Sequence, residues 1–428
     1  MKKLIILIAI IATIITGTII YYQNRTITLH LAMMTGSNWD VPEYDSFTQI
    51  DEAIARFEDK YPNVKITYET GITPELYDEY VARKIIKHEP LDMMFIPSSI
   101  LNDLINCNAL EPLNKYIVNY HLDTNKYYSS SLESGMIDNV IYSLPYESVP
   151  RVMFVNKTLL EKENIAMPDN DWTWQDFYNI CIQITKDTNN DNIIDQFGIY
   201  GYSFEDAYYS NDSILYDEKT NTISVNNNII EAVSFLRNIN KLHNERLSSE
   251  MFDKGYVAFC PMDYSNYRTY KPYPWRVKKY SNFEWDCITM PSGYSGDNTS
   301  LINTLSLGVL QNSKHKEFAF EFIQSLSYDK NYQTELVINS QGVSVLKEVM
   351  TSQVVIDTLN QDNPGDSTFN LSVLNEIMNN GIPVKYSEEY NQVMQLADAK
   401  VDELINNDDD IKNAMVRLQL QINAMLQK

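Results

Sequence analysis

Several features that nucleic-acid binders and many enzymes rely on are scarce or missing in this chain. Basic residues are few: 34 Lys and Arg against 57 Asp and Glu leave a formal charge of −23. Phosphate backbones and anionic membranes demand clustered positive charge, and no basic cluster stands out here, so neither is expected as a partner. The four cysteines, Cys107, Cys181, Cys260 and Cys287, lack C-x-x-C spacing, which indicates neither a zinc site nor a redox dithiol. Buried thiols are the expectation for all four, ahead of a disulfide framework. The five histidines, His30, His88, His121, His243 and His315, form no H-E-x-x-H pair, and a G-x-S-x-G elbow, a P-loop and a Rossmann glycine fingerprint are all absent. No cofactor is expected. Solenoid periods and low-complexity linkers are missing as well.

One long hydrophobic run is present. Lys2 and Lys3 precede Leu4 to Ile20, an uncharged stretch that would span about 25 Å as a helix, near the lower limit for a bilayer core. It exceeds an ordinary signal-peptide core and no A-x-A-like site follows. It reads as an uncleaved anchor, lysines inside and body outside, with a cleaved signal sequence as the alternative. The expected location is the extracellular face of the cell membrane.

Behind that segment the hydrophobic period alternates. Ile27 to Met33 is a short apolar run that breaks into Gly36-Ser-Asn-Trp-Asp40, a buried strand feeding a loop. Asp45 and Ser46 with Gln49 make a capping-box pattern, after which Ile50, Ala53, Ile54 and Phe57 recur at helical spacing until Pro62. Val64 to Tyr68 switches to period two, Thr73-Pro74 restarts a helix carrying Leu76, Tyr80, Val81 and Ile85, and Leu91 to Ile96 is again an apolar strand. Such alternation predicts a mostly parallel sheet whose ligands bind outside the carboxyl ends of the strands. Trp39 and Ser98 lie at two such ends.

About 400 further residues exceed what one hydrophobic core usually holds, so two lobes are predicted. Without a linker, the lobes must be joined by crossing strands. Leu144 to Pro150 leading into Val152 to Asn156 is one such crossing; Gly255 to Pro261 looks like a strand returning to the first lobe, and Ser306 to Leu310 is a third passage. The predicted division is 1–25 as anchor or signal sequence, 26–147 as the first lobe and 148–257 as the second. Residues 258–308 then return to the first lobe, and 309–428 form the helical remainder of the second.

This order of segments resembles the extracellular solute-binding proteins of ABC transporters, in the family that includes maltose- and oligosaccharide-binding members. The resemblance rests on Ile54-Ala-Arg-Phe-Glu58 with Tyr61-Pro-Asn-Val64, Leu91-Asp92, Leu144-Pro-Tyr146 leading to Phe154-Val-Asn-Lys157, and Trp172-Thr-Trp174 with Phe177. It continues through Gly255-Tyr-Val-Ala258, Met290-Pro291, the Lys314-to-Leu326 helix and Gly342-Val-Ser-Val345. It implies an α/β fold: a two-lobe, periplasmic-binding-protein-like clamshell with a mixed, mostly parallel sheet in each lobe and extra C-terminal helices. It also implies a small polar solute, a sugar or oligosaccharide by family, held by a monomer and delivered to an ABC permease in the membrane. Gram-positive members usually carry a lipidated lipobox cysteine, and this chain has no cysteine before Cys107, so the hydrophobic helix itself would tether the body.

Sugars need aromatic faces and planar polar partners. The candidate contacts are Asn38, Trp39 and Asp40 on the first loop, Ser98 at a strand's carboxyl end, Tyr146 and Glu147 at the first crossing, Tyr202, then Asp263 and Tyr264 after the returning strand, Trp275 and Ser306. Trp39 could equally plug its lobe, and Tyr146 could pack the hinge; Trp172 and Trp174 read as helix-start packing residues. Asp187, Asn189, Asp191 and Asp195 occupy the first, third, fifth and ninth positions of an EF-hand-like loop. Asn192 replaces its glycine and Gly198 its bidentate Glu, so a solvated acidic turn is expected and calcium is the weaker candidate. Two other functions stay open: a glycoside-active enzyme, whose carboxylates have no fixed spacing, and a tethered ligand sensor.

Overall fold

The computed structural model describes residues 26–35, 46–243, 247–269, 283–361, 371–384 and 387–427. Strands β1 (Ile27–Ala32), β2 (Val64–Tyr68) and β3 (Met93–Ile96) alternate with the helices Ser46–Lys60 and Pro74–Ile86. The first helix buries the stripe Ile50, Ala53, Ile54 and Phe57, and the second carries Pro74 in its first turn, where its missing N–H has no partner to lose. Leu76, expected on the inner face, is exposed. Tyr77 takes that place because its hydroxyl can donate to the Phe95 carbonyl at 2.7 Å while its ring stays in the core.

Further along the chain come β4 (Met136–Ile137), β5 (Val140–Ile141), β6 (Ser143–Asn156), β7 (Phe197–Ile199), β8 (Tyr216–Asp217) and β9 (Thr222–Ile223). They are followed by β10 (Val257–Asp263), β11 (Trp285–Ile288), β12 (Leu301–Val309), β13 (Val343–Ser344) and β14 (Ile382–Pro383). The pairs β4/β5 and β8/β9 are separate hairpins.

The fourteen-residue strand β6 belongs to two sheets and so joins the lobes. Its residues 143–150 pair antiparallel with β12, which pairs antiparallel with β3, while β1 lies parallel between β2 and β3. From Arg151 onward β6 pairs instead with β10 and β11, both antiparallel, and β7 runs parallel to β10. Both sheets are mixed, with more antiparallel pairing than the alternating pattern suggested, because β6 and β12 run against their neighbours.

Residues 257–263 and 285–288 pair with the second half of β6, flanking Phe154 through Cys260 and Cys287. Helices Lys316–Ser327, Lys330–Asn339 and Leu371–Asn380 pack into the core of β1–β3, with Phe322 edge-on to Phe57 at 5.3 Å. Helices Glu388–Ile405 and Ile411–Leu426 pack into the second core. An apolar run predicts a buried strand, yet it does not say which sheet receives it.

The second core is aromatic. Thr173 and Asp176 form a reciprocal capping box that starts the helix Trp174–Ile184. Trp174 stacks on Phe235 with centroids 4.3 Å apart and planes 3° from parallel, so Trp172 and Trp174 are packing residues as expected. Cys181, Cys260 and Cys287 are buried and Cys107 is exposed; none of the four is in a disulfide. Cys107 departs from expectation because it caps the short helix Leu101–Asn106 on the surface.

Candidate functional site

The two sheets exchange partners between Pro150 and Arg151, and polar side chains gather on either side of that point. On the first lobe, the loop leaving the carboxyl end of β3 places Ser98, whose Oγ donates to Asn303 Oδ1 at 3.1 Å. Asn303 lies opposite Val149 on β6, two residues before Arg151. On the second lobe, the Arg151 guanidinium grips Asp206 with two bonds, Nε to Oδ1 at 2.5 Å and Nη2 to Oδ2 at 3.0 Å. Its remaining arm lies 3.6 Å from Asp263, the last residue of β10.

Asp206 is fixed twice over. Ser203 and Asp206 form the capping box of the helix Phe204–Ser210, so the carboxylate that binds Arg151 also accepts from the Ser203 N–H and hydroxyl. Asp263 differs, because half of its side-chain surface meets solvent. Desolvation by the surrounding protein nevertheless raises its pKa; Arg151 opposes the rise and Asp206 adds to it. Asp263 is therefore the open carboxylate of this cluster, with Arg151 already committed to internal partners.

The other expected contacts fall elsewhere. Tyr202 accepts from Trp174 Nε1 at 2.9 Å and bonds Ser210 at 3.0 Å, and burial pushes its phenol pKa up. Tyr146 is buried edge-on against Phe95, its hydroxyl 3.0 Å from that of Tyr332, which is the hinge-packing reading. Glu147 is buried and accepts the Gly342 N–H at 2.7 Å; a Cβ at Gly342 would stand 2.6 Å from this carboxylate. Tyr264 is fully buried, and Ser306 is buried in the ladder opposite Ile96 and Pro145. Burial withdraws Glu147, Tyr264 and Ser306 from a solute in this conformation. Asn38, Trp39, Asp40 and Trp275 lie outside the described residues.

Arg151, Asp206 and Asn303 escaped the sequence reading. Two signals were there: a lone charge inside the apolar run Val149-Pro-Arg-Val-Met153, and the Ser203-x-x-Asp206 capping spacing. Asn303 carried none, because register decides what it meets.

Beside the carboxyl end of β7 opens a recess of about 790 Å³ bordered by Tyr200, Ser203, His243, Asp398 and Asp402. Burial, and then Asp402 one turn away, raise the Asp398 pKa to about 6. A carboxyl whose folded pKa lies above its unfolded value is an ionisation penalty: it is fully present above the folded pKa and gone below the unfolded one. Asp398→Asn should thus stabilise the protein at pH 7.5 by on the order of 1 kcal/mol, a figure discounted for solvent screening. The gain should shrink as pH falls through 6 and vanish below about 4. Urea titrations of both proteins across that range check it; a gain that is constant with pH would contradict it.

The acidic loop is tied to its own backbone. Asp187 accepts from Asn189, Asn190 and Asn192 N–H groups, Asp191 from Ile193, and Asp195 from Thr188 and Asn189. Asn190 and Asn192 are left-handed, φ 63° and 71°, which Asn tolerates. Among the described residues no three His, Cys, Asp or Glu side chains are grouped so as to hold a metal ion.

Residues 42–331 match the family described as bacterial extracellular solute-binding protein. The chain belongs to that family. Its fold is shared with the sugar-binding protein MalE of Xanthomonas citri, at TM-score 0.76 and 16% identity over 94% of this chain and 97% of that one. The cyclic alpha-maltosyl-1,6-maltose binding protein of Arthrobacter globiformis is similar at TM-score 0.77 and 14% identity, covering 94% and 99%. In sequence, 150 residues are 27% identical to an uncharacterized ABC transporter extracellular-binding protein of Pyrococcus horikoshii; the match takes in 35% of this chain and 33% of that relative's length. The family is extracellular and its members are binding proteins. Among the described residues, no helix is long and apolar enough to cross a membrane.

Proposed function

We propose that this protein captures a sugar or oligosaccharide between its lobes and hands it unchanged to an ABC permease. The observation that carries the reading is the junction on β6, where Ser98 and Asn303 of one lobe and Asp263 of the other flank the exchange of sheets. A hydroxyl, an amide and an open carboxylate are the planar and polar partners that sugar hydroxyls use. The sugars named for the structural neighbours support the same class. We assign the aromatic partners to Trp39, with Asn38 and Asp40 beside it in sequence, and to Trp275. The protein acts as a monomer, without catalysis, tethered outside the membrane through Leu4 to Ile20.

A cognate sugar at a hundred times its dissociation constant should add about 2.7 kcal/mol of stability. A thermal-shift screen of the chain beginning at Arg25 against a carbohydrate library tests the reading. One sugar or a narrow series should raise the melting temperature and be recovered intact. No response to any carbohydrate, or recovery of hydrolysed sugar, would sink it. Trp39→Ala should weaken that sugar by about 1–3 kcal/mol, on the scale of aromatic–base stacking, while the free protein melts unchanged. A loss of about 3–5 kcal/mol from the free protein would instead make Trp39 a plug of the lobe.

A further inference from the structure

Away from the junction on β6, a second connection between the lobes runs through a surface hairpin. β8 and β9 belong to the second lobe, where Tyr216 and Ile223 are in its core. The turn between them reaches the first lobe at two places: Asn102 Nδ2 donates to Glu218 Oε1 at 3.0 Å, and Lys219 Nζ meets Asp138 Oδ1 at 3.0 Å. Asp138 is itself held out on the tight turn of the β4/β5 hairpin, where both Asp138 and Asn139 are left-handed. Two hairpins from opposite lobes thus meet tip to tip.

The base of the β8/β9 hairpin is fastened differently. Asn423, on the helix Ile411–Leu426, accepts the Ile223 N–H at 2.7 Å and donates to the Ile223 carbonyl at 3.0 Å, filling the place of a neighbouring strand. Gln419 accepts the Val225 N–H at 2.7 Å, and Asn221 donates to the Leu426 carbonyl at 3.2 Å. An isolated two-stranded hairpin is only marginally stable in water. These amides give it a rigid backing, so a contact at its tip is transmitted to the C-terminal helix.

We propose that the β8/β9 hairpin is a clasp: its tip bonds the first lobe through Asn102 and Asp138 while the C-terminal helix holds its base, favouring the arrangement in which the lobes are together. The bonds exist only while the lobes keep this angle, so they shift the balance between apposed and separated lobes by their own strength. Exposed pairs of this kind are individually weak, which suits a device that must release. The inference concerns the lobes alone and does not depend on what the solute is.

The test uses the full chain in detergent micelles, without solute. Spin labels are placed at Lys87→Cys on the first lobe and Lys412→Cys on the second in a Cys107→Ser background, and the interlobe distance distribution is measured by pulsed electron resonance. Lys219→Glu should raise the ratio of wide to narrow populations by roughly two- to fivefold. Adding Asp138→Lys should bring it back towards the parent, and Asn423→Ala should widen the distribution in the same direction. Thermal melts of the variants confirm that each is folded. Identical distributions in all proteins, a charge swap as wide as the single variant, or a parent found wholly in the wide population would overturn the proposal.

Discussion

Replacing Arg151 by Ala should cost about 3–5 kcal/mol of folding stability. The side chain of Asp206 is only 2% exposed, and Arg151 provides two of its bonds; truncation leaves a buried carboxylate facing no countercharge. Arg151→Lys should recover only part of the loss, because an ammonium cannot reproduce the two-pronged geometry. Asp206→Asn should be milder, since Arg151 reaches solvent and keeps Asp263 nearby. Urea titrations of the three variants check the order. Equal, small losses in all three would mean that the cluster at the junction does not hold the second lobe.

Trp174→Ala should be comparably damaging, at about 3–5 kcal/mol, through loss of buried area and the cavity left behind. Its indole is fully buried, stacked on Phe235 and edge-on to Tyr294 at 5.3 Å. Its N–H also fixes Tyr202, which lies on the segment leaving β7. Trp174→Phe should restore most of the packing and leave a deficit of about 1–2 kcal/mol for the unreplaced hydrogen bond and volume. Calorimetry distinguishes these outcomes: a Trp174→Ala protein that melts within a degree of the parent would contradict the packing role.

Much of this architecture could be read from the residues. The alternation over residues 27–96, the buried stripe Ile50 to Phe57, the helix opening at Pro74 and the packing role of Trp174 all follow from local spacing, and the structure has each of them. The crossing at Leu144 to Asn156 was legible too, as a proline-bounded run entering a strand. What escaped was long-range. Val257 to Asp263 reads as a buried strand, but only pairing with Phe154 assigns it to the second sheet. The helices between Lys316 and Asn380 show apolar faces without showing which core they meet.

The candidate contacts divide along the same line. Ser98 and Asp263 sit at strand ends, which the alternation locates, and both border the junction. Glu147 and Ser306 lie within β6 and β12, and Tyr264 opens the helix directly after Asp263, yet register and packing put all three in the core. Arg151 shows the converse: a charge inside an apolar run reads as an irregularity until Asp206, 55 residues later, is folded against it.

Capture between lobes is tested most directly by hydrogen exchange on the chain beginning at Arg25, with and without the sugar identified by thermal shift. A solute held on both sides should slow exchange at once in the loop after β3 around Ser98 and in the segments around Ser203 and Asp263 of the other lobe. Protection confined to a single lobe at saturating sugar, with the other exchanging as in the free protein, would contradict the clamshell account.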